Sequence, residues 1–300
     1  MKKILLLDPS VATINIGDEI IQYSIRKNYP ELFVNNYIYT LPTHTKTFTW
    51  YQKILYKQRM NLYHTADIKF LCGTNALYTN MFRPMPTWNM NIFDHGLFDG
   101  VVLLGVGIGA NSDKVNFYTK YLYKKVLSHK YVHSCRDEKT KIFLKNLGFR
   151  AENTGCPTIW GLSPDFCRNI PHKKSSRCVF TVTNYHADVE KDRLMLDIIH
   201  KNYDKLYFWP QSIEDLNYLK TLNTSFDIEI VAPNLHSYDS LLSSGGVDYI
   251  GNRLHGGIFA LQHQLRSIII GIDYRAREMH ESYSIPYIAR ENIGSQLEEK

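Results

Sequence analysis

The chain alternates short apolar runs with segments whose apolar residues recur at helical spacing. Apolar runs bounded by Gly, Pro, Asn or Asp predict buried strands, and the amphipathic segments between them predict helices. The predicted strands lie at 3–7, 33–39, 68–72, 101–104, 131–134, 151–154, 178–183, 206–209, 228–231, 249–251 and 267–272. The predicted helices lie at 17–28, 47–63, 118–128, 189–200, 213–219, 238–243 and 258–265, and a further helix ends at 147. Alternation of strands and helices predicts an α/β fold with parallel, Rossmann-like sheets.

A polar stretch at residues 166–177 interrupts the alternation and predicts a linker, since it combines Pro171 with a His-Lys-Lys-Ser-Ser run. Linkers between domains are typically rich in Pro and polar residues. We therefore expect an N-terminal Rossmann-like domain at 1–165 and a C-terminal one at 178–285. We also expect a tail at 286–300 that crosses back onto the first domain. Two such domains that face a cleft form the GT-B-like arrangement.

Composition narrows the class of partner. The 300 residues are 44% hydrophobic and carry a formal net charge of +6, with Lys and Arg dispersed along the chain. Dispersed charge argues against nucleic-acid binding, and it suits small anions or an anionic membrane face. The five cysteines include no CxxC pair, which argues against a disulfide framework and a zinc site. The histidines are also scattered, so we expect no metal and no cofactor.

The N-terminus starts with an apolar run that Asp8 and Pro9 end after a few residues. This run is too short for a signal peptide and reads as a first strand. No segment approaches the roughly 18 apolar residues of a spanning helix. We expect a cytoplasmic protein at the inner face of the membrane.

Residues 47–63 are basic and aromatic and contain no acid. Two interpretations stay open for this segment. In the first, it is a helix that packs its apolar face inside the domain. In the second, it is a surface that faces lipid or a lipid-linked acceptor.

Residues 248–277 read as strand, turn, helix and strand, the length of one βαβ unit. Arg253 and His255 lie where the strand ends and the helix begins. Ligands of open α/β sheets bind at that edge, and a helix N-terminus favours anions. The pattern therefore predicts an anion site at this turn.

Four further motifs follow predicted strands. They are residues 15–19 (Asn-Ile-Gly-Asp-Glu), 73–75 (Gly-Thr-Asn), 105–109 (Gly-Val-Gly-Ile-Gly) and 134–137 (Ser-Cys-Arg-Asp). Together with Arg-Leu-His at 253–255, they resemble the polysaccharide pyruvyl transferase family, in the family's order and over nearly the whole chain. The combination of NxGD, SxRD and RLH motifs is more specific than any one of them.

The resemblance implies a GT-B-like transferase that uses phosphoenolpyruvate as co-substrate. Its pyruvyl group is moved onto hydroxyls of a saccharide as a ketal, and phosphate is released. Acceptors in such a family belong to cell-surface polymers such as capsules and exopolysaccharides, and we leave open whether the acceptor is lipid-linked. The residues that the resemblance assigns to phosphoenolpyruvate are Arg136, Arg253, Leu254 and His255.

The residue types suit this chemistry. An arginine fork binds phosphate and carboxylate groups bidentately. For Arg136 the alternative role is an ion pair with Asp137 or Glu138 at the helix start. His255 is the candidate general acid, or an imidazolium that stabilises phosphate. Asp18 is the favoured candidate base, and Glu19 is the other candidate. Asp18 alternatively serves only as helix N-terminal charge. The expected acceptor-binding residues are Asn15, Gly17, Asp18, Gly73, Thr74 and Asn75. Substitution of Arg253 by alanine is expected to weaken donor binding without unfolding the protein.

One departure from the family pattern keeps other functions open. The sequence reads Gly-Cys-Pro at 155–157, where the family commonly has an aspartate. This departure supports one alternative, a non-catalytic relative that binds glycan. The other alternative is a GT-B glycosyltransferase, because basic residues at the same strand ends would hold the diphosphate of a nucleotide sugar equally well.

Overall fold

The computed structural model describes residues 1–109 and 114–299. Its strands are β1 Lys3–Asp8, β2 Tyr37–Pro42, β3 Ile68–Cys72, β4 Val101–Leu104, β5 His133–Cys135, β6 Ala151–Asn153, β7 Arg177–Thr181, β8 Lys205–Phe208, β9 Glu229–Ile230, β10 Val247–Gly251, β11 Ser267–Gly271 and β12 Tyr287–Ala289. Its α-helices are α1 Gly17–Asn28, α2 Pro30–Val34, α3 Trp50–Leu55, α4 Lys57–His64, α5 His95–Phe98, α6 Phe117–Val126, α7 Glu138–Asn146, α8 Pro164–Cys167, α9 Val189–Asn202, α10 Ile213–Thr221, α11 Leu235–Ser243, α12 Leu254–Gln262, α13 Tyr274–Tyr283 and α14 Ile293–Gln296. Every strand pair in the described residues is parallel, which confirms the predicted α/β class.

The chain divides into two compact units. The first comprises Met1–Thr13 and Ile21–Trp160, and the second comprises Ile14–Ile20 and the chain from Gly161 onward. The turn at 14–20 therefore groups with the second unit, which differs from our placement of it in the N-terminal domain. The physical reason is its anchoring, because the Ile16 amide donates to the Gln211 carbonyl at 3.0 Å.

The first unit is built on a four-stranded sheet in the order β2-β1-β3-β4, with β5 and β6 as a separate pair. The central strand β1 is buried on both faces. Leu5 and Leu7 belong to one apolar cluster, and Ile4 and Leu6 belong to another. A nearly continuous apolar strand of this kind is typical of a parallel sheet covered on both sides.

The second unit is built on a six-stranded sheet in the order β12-β11-β10-β7-β8-β9. Its core includes Phe180, Phe208, Ile250 and Ile270 from adjacent strands. Our expectation that residues 286–300 cross back onto the first domain is wrong. Strand β12 within this stretch pairs with β11, and helix α14 packs on α9, so the tail completes the second unit.

Two predicted elements differ from the observed ones. The predicted strand at 33–39 is instead the end of helix α2 followed by the start of β2. The helix forms because Pro30 occupies its first turn, where proline is well tolerated. The helix at 47–63 is split into α3 and α4 at Tyr56, whose φ of −112° and ψ of 47° are not helical. Among the described helices, none is long and apolar enough to cross a membrane.

His133 gives the first unit a specific sensitivity to acid. Its ring is fully buried, where Nδ1 accepts a hydrogen bond from the Leu103 amide at 3.1 Å and Nε2 lies 3.0 Å from the Ser128 carbonyl. These partners hold the neutral ring, with Nε2 as the donor. Burial lowers the pKa of His133 to about 4 from an ordinary value of 6.5.

Acidification is therefore expected to destabilise the first unit. The stability that neutral His133 contributes is fully present above pH 6.5 and is lost as the pH falls toward 4, at up to about 1.4 kcal/mol per pH unit. Urea denaturation at pH 7 and pH 5 should show a smaller loss for His133→Gln than for the natural protein. The exposed His172→Gln should behave like the natural protein. An unchanged pH dependence in His133→Gln would contradict the assignment.

Candidate functional site

The carboxyl ends of β7, β8, β10 and β11 lie at one edge of the second unit's sheet, because these strands are parallel neighbours. The loops that follow them bring together side chains that are far apart in the sequence. Those that define the edge are Asn184, Gln211, Asp215, Arg253 and Asp273. In a parallel sheet, this is the edge where ligands bind.

Arg253 is held in place by its own backbone. It directly precedes helix α12, its amide donates to the Thr181 hydroxyl at 3.2 Å, and its carbonyl accepts from the Tyr249 hydroxyl at 2.8 Å. Tyr249 and Thr181 are themselves bonded at 2.6 Å. The turn predicted from the Arg-Leu-His motif is therefore fixed by two buried strands.

The Arg253 side chain forms a bidentate ion pair with Asp215. Nε donates to Oδ2 at 3.0 Å, and Nη2 lies 2.6 Å from both carboxylate oxygens. Arg253 is 18% exposed at its side chain, and Asp215 is 1% exposed. The Asp215 carboxylate also accepts from the amides of Gln211 at 3.2 Å and Asn184 at 3.4 Å. One buried carboxylate thus joins the loops that follow β7, β8 and β10.

This pairing determines which part of Arg253 can meet a ligand. Asp215 occupies the edge formed by Nε and Nη2. Nη1 and the second hydrogen of Nη2 lie on the other edge of the fork, which is suited to a second bidentate acceptor. Asp215 therefore orients Arg253 and lowers the cost of its burial.

Sequence reasoning missed Asp215. It lies in the first turn of α10 beside the Ser212 cap, a position that helix-dipole stabilisation alone explains. Its partner Arg253 is 38 residues away in the sequence. No local pattern indicates a contact of that separation.

His255 is the second residue of α12 and is half-buried. The first-turn amides of a helix have no acceptor inside the helix, and the dipole favours an anion there. The glycines that follow are required by packing. A Cβ at Gly257 would lie 2.5 Å from Ile269 Cγ1, and one at Gly256 would lie 3.0 Å from Gln211 Nε2. His255 thus stands at the start of a helix that is pressed closely against the sheet.

The turn that precedes α1 meets this edge through Gln211. A Cβ at Gly17 would lie 2.8 Å from Gln211 Oε1, so the glycine of the NxGD motif allows that close approach. The Asn15 side chain accepts from the amide of Gly17, the first residue of α1, at 3.2 Å, and so closes the turn that leads into the helix. Asp18 is 7% exposed. The structure therefore brings Asn15, Gly17 and Asp18 to the same unit as Arg253 and His255.

The other acids near the Arg-Leu-His unit have structural partners. Asp273 caps α13, and its carboxylate accepts a hydrogen bond from Nε of Arg275 at 2.8 Å. The Asp248 carboxylate accepts hydrogen bonds from the Tyr203 hydroxyl at 2.9 Å and from Nη1 of Arg266 at 2.7 Å. Both carboxylates orient neighbouring groups.

The first unit has its own candidate edge, at the carboxyl ends of β3, β4 and β5. Gly107 lies between two side chains there, because a Cβ on it would lie 2.6 Å from Arg136 Nε and 2.6 Å from Asn75 Oδ1. The Gly107 amide donates to the Thr74 carbonyl at 2.8 Å, and the Arg136 amide donates to Val106 at 3.1 Å. The structure thus brings Arg136 and Asn75 together around position 107, where any side chain would clash with both.

The ion pair of Arg136 with Asp137 is weak in geometry. Nε lies 3.4 Å from Asp137 Oδ2, at the long end of hydrogen bonding. Asp137 instead caps α7, since its Oδ1 accepts from the Thr140 amide at 2.7 Å. The adjacent acid therefore serves the helix more than it serves the arginine.

Thr74 adopts a left-handed backbone with φ of 55°, directly after Gly73 with φ of 61°. The left-handed region is unfavourable for a β-branched residue, so this position carries backbone strain. A glycine at position 74 would adopt this conformation without strain. Strained residues that the surrounding fold maintains often lie at ligand-binding sites.

The Gly-Cys-Pro departure lies beside this edge but is buried. Cys156 is 1% exposed, and the Thr158 hydroxyl donates to its sulfur at 3.2 Å. The Gly105 turn packs against Pro157. Cys156 therefore fills the interior, and no polar group is presented at its position.

Comparison with known proteins decides the family. The family model described as polysaccharide pyruvyl transferase matches residues 15–274. The chain belongs to this family. The match starts at Asn15 and ends at Tyr274, so it includes every candidate residue of both edges. Membership makes the protein a transferase with a role in pyruvyl transfer during polysaccharide biosynthesis, which acts on a polysaccharide acceptor.

Two other comparisons add little. No curated protein matches the chain. Among solved structures, the chain is similar to UDP-GlcNAc 2-epimerase from Neisseria meningitidis bound to UDP-GlcNAc, with 9% sequence identity and a TM-score of 0.41. The alignment covers 99% of this chain and 91% of the epimerase. Similarity at that level carries no functional conclusion.

Among residues 1–109 and 114–299, no three His, Cys, Asp or Glu side chains form a group that could hold a metal ion. The expectation that the reaction needs no metal and no cofactor stays a prediction.

Proposed function

We propose that the protein transfers the pyruvyl group of phosphoenolpyruvate to hydroxyls of a saccharide, as a ketal, with release of phosphate. The observation that carries the proposal is the oriented Arg253, held by Asp215 at the start of α12 with His255 two residues later. Family membership supports pyruvyl transfer, and this arrangement supports an anionic donor.

Phosphoenolpyruvate carries a phosphate and a carboxylate close together. The open edge of Arg253 can donate two hydrogen bonds to one of these groups, and the helix N-terminus favours the other. Leu254 lies between the two polar residues and shields that side of the donor from water. We propose Arg136 as a second contact with phosphoenolpyruvate, because the resemblance assigns the arginine of the SxRD motif to that ligand.

The reaction balances without a redox partner. A proton adds to the methylene carbon, which becomes the methyl group, and positive charge develops on the central carbon. One acceptor hydroxyl attacks that carbon and loses its proton. The bond between the central carbon and the phosphate oxygen breaks, and a second hydroxyl closes the ketal while its proton leaves with phosphate. This sequence needs one acid and one base close to the central carbon.

We assign these roles to residues at the edge of the second unit. His255 donates the proton to the methylene carbon, and Asp18 receives the hydroxyl proton of the acceptor. The proposed acceptor contacts are Asn15, Gly17, Gly73, Thr74 and Asn75. The acceptor belongs to a cell-surface polysaccharide such as a capsule or exopolysaccharide, and its transfer takes place in the cytoplasm at the inner face of the membrane.

A ligand-binding screen tests the donor assignment. Phosphoenolpyruvate at about 100 times its dissociation constant should stabilise the protein by about 2.7 kcal/mol, which raises the melting temperature. UDP-sugars should leave it unchanged, and inorganic phosphate is the control for a nonspecific anion. Stabilisation by nucleotide sugars without any by phosphoenolpyruvate would instead support a glycosyltransferase. No stabilisation by either would support a non-catalytic glycan binder.

A further inference from the structure

Helices α3 and α4 in the first unit expose most of their apolar side chains, whereas Tyr63 packs against the core. Neither helix has a buried residue. Trp50 is 75% exposed and Leu55 is 71% exposed, and the other exposed apolar residues of the pair are Tyr51, Ile54, Tyr56 and Leu62. A soluble monomer rarely leaves a contiguous apolar patch of this kind without a partner.

The same surface is basic. Residues 44–64 contain Lys46, Lys53, Lys57 and Arg59 and no acid. The two carboxylates that border it are engaged, since Asp94 pairs with Lys53, and Asp99 pairs with Lys69. Lys57 and Arg59 are exposed. The surface therefore offers positive charge next to large apolar side chains.

The apolar surface continues beyond the two helices. A cavity of about 380 Å³ lies beside α4, lined by Lys53, Lys57, Met60, His64, Phe93 and Leu97. Phe93 is 85% exposed at its rim. A second cavity, of about 520 Å³, is lined in part by Lys46, Arg83 and the exposed Phe82. Basic and apolar groups thus line both cavities.

We propose that this face is a docking surface for an anionic phospholipid bilayer. We define the docking surface as helices α3 and α4 together with Phe93. Trp and Tyr side chains settle at the level of lipid headgroups, and Leu, Ile and Phe enter the acyl boundary. Lys57 and Arg59 attract anionic headgroups. The proposal goes beyond pyruvyl transfer and does not depend on it.

The composition favours a bilayer over a protein partner. Lysine is depleted in the centres of protein interfaces, whereas lysine mixed with aromatic residues is typical of interfacial membrane helices. The alternation of Trp50, Tyr51, Lys53, Tyr56 and Lys57 follows the second pattern. A second copy of the chain would also meet unfavourable repulsion, because this face carries one sign of charge.

Flotation of the full-length protein with vesicles tests the proposal. Vesicles of phosphatidylcholine with about one-third phosphatidylglycerol should bind the protein at least roughly tenfold more strongly than phosphatidylcholine alone, and salt should weaken the binding. Trp50→Ser/Leu55→Ser should lose binding to both kinds of vesicle. Lys57→Gln/Arg59→Gln should lose only the preference for anionic lipid.

The control is Ile213→Ser/Lys220→Gln, which removes one exposed apolar residue and one exposed cation from helix α10. It should bind vesicles like the natural protein. Equal binding by all variants, or no binding to anionic vesicles, would overturn the proposal. Concentration-dependent dimerisation that is lost in Trp50→Ser/Leu55→Ser, without vesicle binding, would identify a second copy as the partner and would also overturn it. Circular dichroism of each variant verifies that its fold is intact.

Discussion

Replacement of Arg253 by methionine is expected to destabilise the second unit by about 3 kcal/mol. The change leaves the Asp215 carboxylate buried at 1% exposure without its bidentate partner. Removal of one partner from a buried ion pair typically costs about 3–5 kcal/mol, and the 18% exposure of Arg253 places the cost at the low end. Urea denaturation measures the loss, and hydrogen exchange in peptides from β10 and α12 locates it. Because the free energy of unfolding of a domain is typically about 5–15 kcal/mol, this loss is compatible with the expectation from sequence that the protein stays folded when Arg253 is replaced.

A double variant separates the structural role of Arg253 from its role toward the donor. In Arg253→Met/Asp215→Asn, the buried charge is gone, and the asparagine still accepts from a loop amide. Stability should return to within about 1 kcal/mol of the natural protein. Phosphoenolpyruvate affinity should stay at least roughly tenfold reduced, because a hydrogen bond to a charged group contributes about 1.5–3 kcal/mol. Recovery of full affinity together with stability would mean that Arg253 only supports the loops.

Replacement of His255 by alanine is expected to lower the rate of phosphate release by about 100-fold to 10,000-fold, the usual contribution of a general acid. The dissociation constant for phosphoenolpyruvate should change much less, since the Arg253 fork and the helix N-terminus remain. Single-turnover kinetics and direct donor binding measure the two quantities separately. This split is the signature of a group that acts in the transition state.

His263→Ala provides the matched control on the same helix. His263 lies at the C-terminal end of α12 and bonds Asp239 at 2.9 Å, so it serves as a structural histidine. Replacement of His263 should leave the rate of phosphate release within a few-fold of that of the natural protein. An equal loss of rate and donor affinity in His255→Ala would contradict the acid role and would indicate a phosphate-binding imidazolium.

The sequence predicted those parts of the fold that depend on local signals. The apolar runs of β1 and β10 are buried on both faces, as expected for strands of a covered parallel sheet, and α1 begins at Gly17 as predicted. The Arg-Leu-His turn was also correctly placed between a strand and a helix. In each case, the residues that determine the element are close together in the sequence.

Features that depend on distant contacts were not predictable. The pairing of Asp215 with Arg253 joins two loops whose order in the sheet is not readable from the chain. Gln211 and Gly17 are far apart in the sequence but close together in the structure. Their contact groups the turn at 14–20 with the second unit. The tail was misplaced for the same reason, because short strands such as β12 carry little pattern of their own.

The central claim is that Arg253 and His255 act on phosphoenolpyruvate. Its most direct test is phosphate release from phosphoenolpyruvate across a panel of saccharide acceptors, with mass analysis of the products. We expect phosphate release that depends on one class of acceptor, a product that carries a pyruvyl ketal, and loss of both in His255→Ala. Release from no acceptor, or transfer of a sugar from a nucleotide donor, would contradict it.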